Sequence, residues 1–285
     1  MIVFRKLTHE DYDDIVDISK NIWGGGDYLP MVFHKWVDDK GFFLGAVDSD
    51  KNKVVAVDKF SILPDGTGWL EGLRVHIDYR GQKIGRDIAE ETLRIAKELL
   101  KEGRVNKLAF ATHISNIESK TMMEKRNFVA KEAQILATRE TQSLDSSLSL
   151  NNFKIEPWDI SYEQFKHISY LKRRNGLLPL AFVFQEVTEE LYEQIKEEEG
   201  FIKINGHPGI FKYKGEPNFV AVEDTFEGID TFMNYSLLKY GNEVKEVYTP
   251  VLTDDIELIK KLKENNYTSW YQWQPDYLYY IYNGQ

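Results

Sequence analysis

Four cationic side chains lie around one short stretch of a chain whose formal net charge is −10. Arg74 precedes the segment RGQKIG, and Arg80, Lys83 and Arg86 lie within it or directly after it. A turn of this kind that leads into a helix leaves backbone N–H groups unpaired, and the helix dipole adds positive potential beside them. The residue types and their spacing therefore predict a site for an anion, and for a phosphorylated ligand in particular.

The glycines of the turn favour the same chemistry. Gly81 and Gly85 carry no side chain where a phosphate has to approach the backbone, and the neighbouring basic residues add charge without creating a broad basic surface. Short glycine patterns also occur in ordinary turns. The alternative interpretation is therefore a turn whose basic side chains are simply solvated.

The elements that position this turn follow from the apolar pattern. Residues 69–75 are predicted to form a strand and residues 84–100 a helix, so the turn joins strand to helix. Before them we predict a strand, two helices and two further strands, and after them a strand, a short helix and a strand. The order β-α-α-β-β-β-α-β-α-β predicts an α/β (α+β) fold with a mostly antiparallel sheet flanked by helices.

A change in composition divides the chain in two. Residues 141–152, TQSLDSSLSLNN, are rich in Ser, Asp and Asn, which is typical of a linker, so we expect one domain at 1–142 and a second at 150–285. The second half repeats the strand, helix and strand that close the first, with Asn266-Tyr267 in the place of Asn127-Phe128. It has no cationic glycine turn, and we predict a structural duplicate that lacks the anion site.

Composition and charge narrow the classes of function. The chain has 42% hydrophobic and 13% aromatic residues, as folded proteins do. Cysteine is absent and the six histidines show no metal-ligand spacing, so we predict no disulfide and no metal site. The negative charge disfavours nucleic acid and anionic membranes and favours amines. With no signal peptide and no apolar run of bilayer length, the expected location is cytoplasmic.

The stretch LRVHIDYRGQKIGRDIAEETL resembles the acetyl-CoA signature of the GCN5-related N-acetyltransferases, the GNAT superfamily. That signature is Arg or Gln, two residues, Gly, one residue, then Gly or Ala; Arg80 and Gly85 occupy its ends, and Lys83 stands where the middle Gly is usual. The order of elements is similar over residues 1–140. Through EGLRV, RG and KRNFVAKEAQIL the chain is also similar to the histidine Nα-acetyltransferase-like subgroup.

The resemblance implies acetyl-CoA as the cofactor. In the family, amides of the turn bind the pyrophosphate, and the main chain of the preceding strand holds the pantetheine arm. The cofactor-binding residues implied here are Leu73, Arg74, Val75, Arg80, Gly81, Gln82, Lys83, Ile84, Gly85, Arg86, Asn116 and Ser119. Asn116 is equally suited to cap the following helix. Family members usually carry a Tyr seven residues after this Asn to protonate the leaving thiolate, and Met123 stands there instead.

The family reaction is direct attack of a neutral amine on the acetyl thioester. Glu71, on the strand before the turn and on the face of Trp69 and Leu73, is the implied catalytic group that takes the amine's proton. A solvated strand carboxylate is the alternative. The amide of Leu73 or of Val75 would stabilise the oxyanion, and the sequence does not decide between them.

The acceptor loop is predicted in the segment WGGGDYLP. Trp23, Asp27 and Tyr28 are the substrate-binding candidates, because Asp27 would attract a cationic amine and Tyr28 would stack on it. The alternative is a flexible helix connection with Tyr28 in the core. The predicted substrate is a small-molecule primary amine such as an amino acid, and the second half would cover its site or mediate a homodimer.

Two interpretations from other classes stay open. Met123 and Lys83 favour a catalytically silent acyl-CoA-binding sensor or scaffold. A purely structural interaction protein would not bind CoA at all.

Overall fold

The computed structural model of the chain describes residues 1–180, 182–212, 218–241 and 244–284. The chain falls into two compact units, residues 1–110 and residues 111–285. The linker predicted between the two domains, at residues 141–152, lies inside the second unit, and the domain boundary there stays a prediction.

The first unit alternates strands and helices in the predicted order. Its elements are β1 (Ile2–Lys6), α1 (Tyr12–Ser19), α2 (Leu29–Asp38), β2 (Gly41–Asp48), β3 (Lys53–Ile62), β4 (Thr67–Val75), α3 (Ile84–Lys101) and the first part of β5 (Lys107–His113). Strands β1 to β4 are antiparallel neighbours in chain order, and β5 runs parallel to β4. The prediction of a mixed fold with a mostly antiparallel sheet and flanking helices is confirmed.

Helices α1 and α2 pack on the sheet through an apolar cluster. Ile15 and Ile18 of α1 and Phe33 and Trp36 of α2 are buried together with Val57 of β3. These side chains recur at helical spacing and remove a large apolar area from water, which is the main favourable contribution to folding. The cluster holds α2 against β3, the strand that pairs with β4.

Helix α3, which follows the turn, is amphipathic. Ile88, Leu93, Ala96 and Leu99 form its buried face. Gly103 ends it with a φ of 70°, a left-handed conformation that glycine adopts without steric cost. The start of α3, at Ile84, is therefore held by the packing of the whole helix.

The second unit continues from β5 and contains the remaining elements. They are α4 (Ile117–Glu124), β6 (Phe128–Glu140), β7 (Ile155–Pro157), α5 (Tyr162–Phe165), α6 (Ser169–Arg173), β8 (Leu177–Leu180), β9 (Val183–Glu186), α7 (Glu189–Glu197), β10 (Phe201–Ile204), β11 (His207–Lys212), β12 (Asn218–Ala221), α8 (Phe226–Tyr240), β13 (Glu246–Leu252), α9 (Ile256–Glu264), β14 (Thr268–Ser269) and β15 (Tyr277–Tyr282).

The second unit repeats the order of elements of the first. Strands β7, β10, β11 and β12 are antiparallel neighbours in that order, as β1 to β4 are, and α8 follows β12 as α3 follows β4. Asn127 and Asn266, which follow α4 and α9, both have left-handed backbones, with φ of 67° and 62°. The hairpin of β8 and β9 has no counterpart in the first unit.

Candidate active site

Strand β4 carries a bulge directly before the cationic turn. Glu71 lies opposite Lys59 of β3 and Arg74 lies opposite Val57, so β4 has one residue more than β3 between these two pairs. Gly72 has a φ of 76° at this point. A bulge bends its strand and leaves the extra residue outside the regular ladder.

The bulge changes which side chains share a face of β4. Strict alternation predicts that Leu73 follows Trp69 and Glu71 on one face. Val57 and Lys59 are two residues apart on β3 and therefore share a face. Their partners Arg74 and Glu71 consequently share a face of β4 as well. The prediction that the Leu73 side chain shares the face of Glu71 is therefore wrong, because the inserted residue reverses the alternation.

A short turn leads out of β4. The ring of His76 accepts a hydrogen bond from the Asp78 N–H at 3.2 Å, and the N–H groups of Tyr79 and Arg80 donate to the carbonyls of His76 and Ile77 at 2.9 and 3.3 Å. These contacts use the first amides of the segment. The chain then continues to the N-terminus of α3 at Ile84.

The predicted anion site lies in the main chain from Gly81 to Arg86. Gly81 and Lys83 are both left-handed, with φ of 77° and 68°, so successive N–H groups turn toward one side. Among the described residues, the N–H groups of residues 81–86 have no hydrogen-bond partner. A side chain at Gly85 would meet the Val75 methyl group at 2.9 Å. The backbone therefore offers the concave row of donors that a phosphate group needs.

Of the three cations of the turn, Arg86 is the one that has an acidic partner among the described residues. Lys83 is exposed, so its side chain lies in solvent. Arg80 donates to the carbonyl of Val75 at 3.3 Å, and Arg86 donates to Asp87 at 2.8 and 3.0 Å. The Gln82 side-chain amide donates to the carbonyl of Asp78 at 3.1 Å. Arg80 and Lys83 therefore lie beside the backbone donors without an acidic partner among the described residues.

Arg74 does not belong to the cationic group of the turn. Its guanidinium donates to both carboxylate oxygens of Asp27 at 3.1 and 3.2 Å, and its side chain is 11% exposed while that of Asp27 is fully buried. Ser19 and the Leu29 N–H also donate to Asp27, at 3.1 and 3.3 Å. The Arg74 and Asp27 side chains therefore neutralise each other instead of meeting a phosphate and an amine, and the implied contact of the Arg74 main chain with the pantetheine arm stays a prediction.

The aromatic residues of the acceptor loop stack above this ion pair. The guanidinium of Arg74 lies 4.6 Å from the centre of the Trp23 ring and 5.5 Å from that of Tyr28, and the two rings are 6.1 Å apart. Trp23 is 67% exposed. Burial raises the pKa of Tyr28 to about 12. The cation that Tyr28 meets is therefore Arg74, and Trp23 is the loop residue that presents its ring to solvent.

Glu71 lies on the sheet face that carries Arg74. It is partly buried, and its carboxylate accepts a hydrogen bond from the Ser61 hydroxyl at 2.7 Å. Burial raises the pKa of Glu71, while the Ser61 hydroxyl and the Lys59 ammonium oppose the rise. A carboxylate with a raised pKa is a better proton acceptor than a solvated one, which suits a general base. The geometry favours this role over a solvated strand carboxylate.

Two buried ionisable residues of β3 are absent from the residues predicted to form the site. Asp58 is 6% exposed, and burial raises the pKa of its carboxyl to about 7. Lys59 is fully buried. The signal in the sequence is the pair Asp-Lys inside the otherwise apolar run VVAVDKFSI. Charged residues are almost never fully buried unless they are paired.

The predicted residues of α4 belong to the second unit. The Asn116 side chain accepts a hydrogen bond from the Ser119 N–H at 3.3 Å, so Asn116 caps α4 as the alternative interpretation expected. Met123 is buried. The role of Asn116 and Ser119 in holding the cofactor stays a prediction.

Groups suited to other ligands are few in the described part of the chain. Within the described ranges, no cluster of three or more His, Asp or Glu residues is arranged to hold a metal ion. Of the helices described, none combines the length and apolarity that crossing a bilayer demands. Where the second unit passes from β12 to α8, a cleft of about 540 Å³ is lined by Arg173, Glu223 and Asp224, and Asp224 forms ion pairs with Arg173 and Arg174.

Comparison with known proteins agrees with this geometry. Residues 9–128 match the model of the acetyltransferase (GNAT) family. A histidine N-acetyltransferase of Oreochromis niloticus is 30% identical over 155 residues, which are 54% of this chain and 44% of that protein. One of Xenopus tropicalis is 26% identical over 146 residues, 51% of this chain and 44% of that protein. The matches thus span less than half the length of these curated relatives.

Solved structures share the fold over the whole chain. A protein of Thermoplasma acidophilum assigned as an acetyltransferase is 19% identical with a TM-score of 0.60, covering 98% of this chain and 99% of that one. A Pyrococcus horikoshii protein with the same assignment is 15% identical with a TM-score of 0.60, covering 100% and 90%. At these identities the likeness concerns the fold alone. Residues 9–128 are thus similar to the acetyltransferase (GNAT) family, and part of the chain is loosely similar to the histidine N-acetyltransferases.

Proposed function

We propose that this protein is an N-acetyltransferase that moves an acetyl group from acetyl-CoA to the primary amine of a small molecule. The observation that carries the proposal is the row of unpaired N–H groups at residues 81–86, which follows the bulged strand that bears Glu71. The GNAT match over residues 9–128 and the relatives named histidine N-acetyltransferase support it.

The residues present fit acetyl-CoA. The left-handed residues Gly81 and Lys83 turn the amides of the segment toward one side, and the absence of a side chain at Gly85 keeps the helix start close to β4. These amides would hold the diphosphate, and the exposed Lys83 and Arg80 would add charge at its edge. When bound, acetyl-CoA supplies the activated acyl group as a thioester.

The chain contributes a proton acceptor and an oxyanion donor. Glu71 would take the proton that the attacking amine has to lose. Leu73 belongs to the bulge, opposite no regular partner, whereas Val75 pairs with Ala56 in the ladder. We assign the oxyanion contact to the Leu73 amide for this reason, since the inserted residue lies outside the regular ladder of the two strands.

The acceptor class follows from the charges left over near Glu71. Asp27 is neutralised by Arg74, so Glu71 is the carboxylate among the predicted site residues that would attract an ammonium group. A free amino acid fits, and the names of the relatives make L-histidine the first compound to test. The predicted cytoplasmic location and homodimer belong to the same proposal.

A turnover assay tests this function. The purified protein would be mixed with acetyl-CoA and a panel of amines, namely L-histidine, other amino acids, a polyamine and an aminoglycoside, and the free thiol measured. We expect thiol release with at least one amino acid and a loss of about 100-fold or more in Glu71→Gln.

Two other outcomes separate the rival interpretations. Thermal stabilisation by CoA without thiol release from any amine would identify a silent acyl-CoA-binding protein. The absence of any thermal shift with CoA would leave a structural protein and contradict the anion site itself.

A further inference from the structure

Strand β3 carries a lysine that the reaction described above does not use. Lys59 is fully buried, and its ammonium has no hydrogen-bond partner among the described residues. A buried lysine is nearly always paired, because an ammonium group loses its hydration when it leaves water. A packing role alone would be filled better by an apolar side chain.

The position of Lys59 links it to the proposed base. It lies directly opposite Glu71 in the antiparallel pair of β3 and β4, so both side chains leave the same face. Side chains at directly opposite positions are the nearest neighbours across two strands. The bulge at Gly72 begins at the next residue of β4, and a Cβ atom added to Gly72 would lie 3.4 Å from the Lys59 Cβ atom.

We propose that Lys59 is a positioning residue that keeps the Glu71 carboxylate ionised near neutral pH, so that it can accept the proton of the amine. This inference rests on the proposed function, because it assumes that Glu71 is the base. It adds a second group to the site, on a strand that the cofactor signature does not include.

The electrostatics of the face support this role. Burial raises the pKa of Glu71 and lowers that of Lys59, and in each case the opposite charge of the other residue opposes the shift. Asp39, which follows α2, favours the charged form of Lys59 and disfavours that of Glu71. Without Lys59, burial and Asp39 would together favour a protonated Glu71, which cannot act as a base.

Other charged and titratable groups also face Glu71. Lys35 of α2 lowers the pKa of Glu71, and the charge of Glu71 raises the pKa of Tyr28 and of Asp58. None of these is its cross-strand partner. Lys59 is therefore the cation whose removal we expect to change the titration of Glu71 most.

The test compares Lys59→Met with Lys59→Arg. Lys59→Met keeps the length of the side chain and removes its charge, and we expect the acidic limb of the kcat/KM profile to move up by about one pH unit. The rate below that limb would fall about tenfold. Lys59→Arg keeps the charge and would leave the limb close to its original pH. Lys101→Met removes a charge from the exposed end of α3 and is the matched control.

A titration that needs no turnover gives the second readout. ¹³C NMR of glutamate-labelled protein would follow the Glu71 carboxyl, which is assigned by its absence in Glu71→Gln. In the wild-type protein we expect it to be ionised at pH 7, and in Lys59→Met we expect its pKa to rise by about one unit. A wild-type Glu71 that is protonated at pH 7 would overturn the inference even if Lys59→Met does not fold.

The outcomes distinguish the two levels of the proposal. Full activity in Glu71→Gln would refute Glu71 as the base and with it the proposed mechanism. An inactive Glu71→Gln together with an unshifted limb in Lys59→Met would refute the role of Lys59 alone. A lysine with a structural role alone would lower the melting temperature on removal without moving the acidic limb, so the pH profile separates the two roles.

Discussion

Asp58 shows how one buried side chain couples the fold to pH. Burial raises the pKa of its carboxyl to about 7, so the folded protein holds a proton there that the unfolded chain releases near its ordinary value of 3.8. The protonated carboxyl therefore makes its full contribution to the stability of the fold below the unfolded pKa. This contribution is lost as the pH rises through the folded pKa of about 7.

The variant Asp58→Asn tests this coupling, because the amide cannot ionise. The gain in the free energy of unfolding of Asp58→Asn over the wild-type protein should be larger at pH 8 than at pH 5, by on the order of 2–4 kcal/mol. Urea unfolding at the two pH values measures the difference. An equal effect of the substitution at both values would show that Asp58 does not carry the proton.

Lys83 tests whether the turn binds through its backbone. Its φ of 68° costs a non-glycine residue about 1–2 kcal/mol, and its side chain is exposed. Lys83→Gly keeps the N–H and should change CoA affinity by less than about fivefold, the loss of one exposed charge. Valine adopts this φ poorly, so Lys83→Val should lower both the stability of the fold and the affinity for CoA. Isothermal titration with CoA and thermal melts compare them; a similar loss of affinity in both variants would assign the binding to the side chain.

At the scale of the element, the bulge of β4 depends on Gly72. A Cβ atom there would lie 2.6 Å from the Trp36 ring, and the φ of 76° is unfavourable for alanine. Gly72→Ala is expected to cost about 2–4 kcal/mol and to lower kcat far more than CoA affinity. Gly103→Ala is the control, since Gly103 has a φ of 70° but nothing within 4 Å of the added atom. Equal losses of stability in the two variants would exclude the contact with Trp36.

The loop before α2 is attached to β4 by one ion pair. Arg74→Ala would leave the Asp27 carboxylate, which is fully buried, without its cation, at a cost of about 3–5 kcal/mol. The double variant Arg74→Ala/Asp27→Ala should cost less than the sum of the two single variants, because it leaves neither charge unpaired. Urea unfolding of the four proteins gives the coupling energy. Additive losses would mean that the two residues act independently.

At the scale of the whole molecule, the repeated architecture predicts one cofactor per chain. The second unit repeats the order of elements, but Glu223 and Asp224 precede α8 where the first unit has its left-handed turn. Residues 222–225 contain no glycine and no cation, and the Thr225 hydroxyl already accepts a hydrogen bond from the Gly228 N–H at 3.1 Å at the start of α8. Calorimetric titration of the intact chain should therefore give a stoichiometry of one CoA. Two equivalent sites would show that the second unit has kept the function of its counterpart.

Local chemistry made much of this molecule predictable from its sequence. Hydrophobic periodicity gave the order of helices and strands in the first unit, and the segment RGQKIG predicted a turn whose amides are unpaired. The closing Asn266-Tyr267 pair predicted the repeat in the second unit. Each of these signals depends on residues that are neighbours along the chain, since side-chain period and turn conformation are properties of short segments.

Only the tertiary structure decided the electrostatics of the site. The bulge at Gly72 reverses the face on which Arg74 lies, and Arg74 then meets Asp27, a residue 47 positions away in the sequence. The same strand register places Lys59 opposite Glu71. These pairings depend on how separate strands and loops pack, and a shift of one residue would have exchanged every partner. The sequence by itself determined which charges are available, and the packing determined which of them meet.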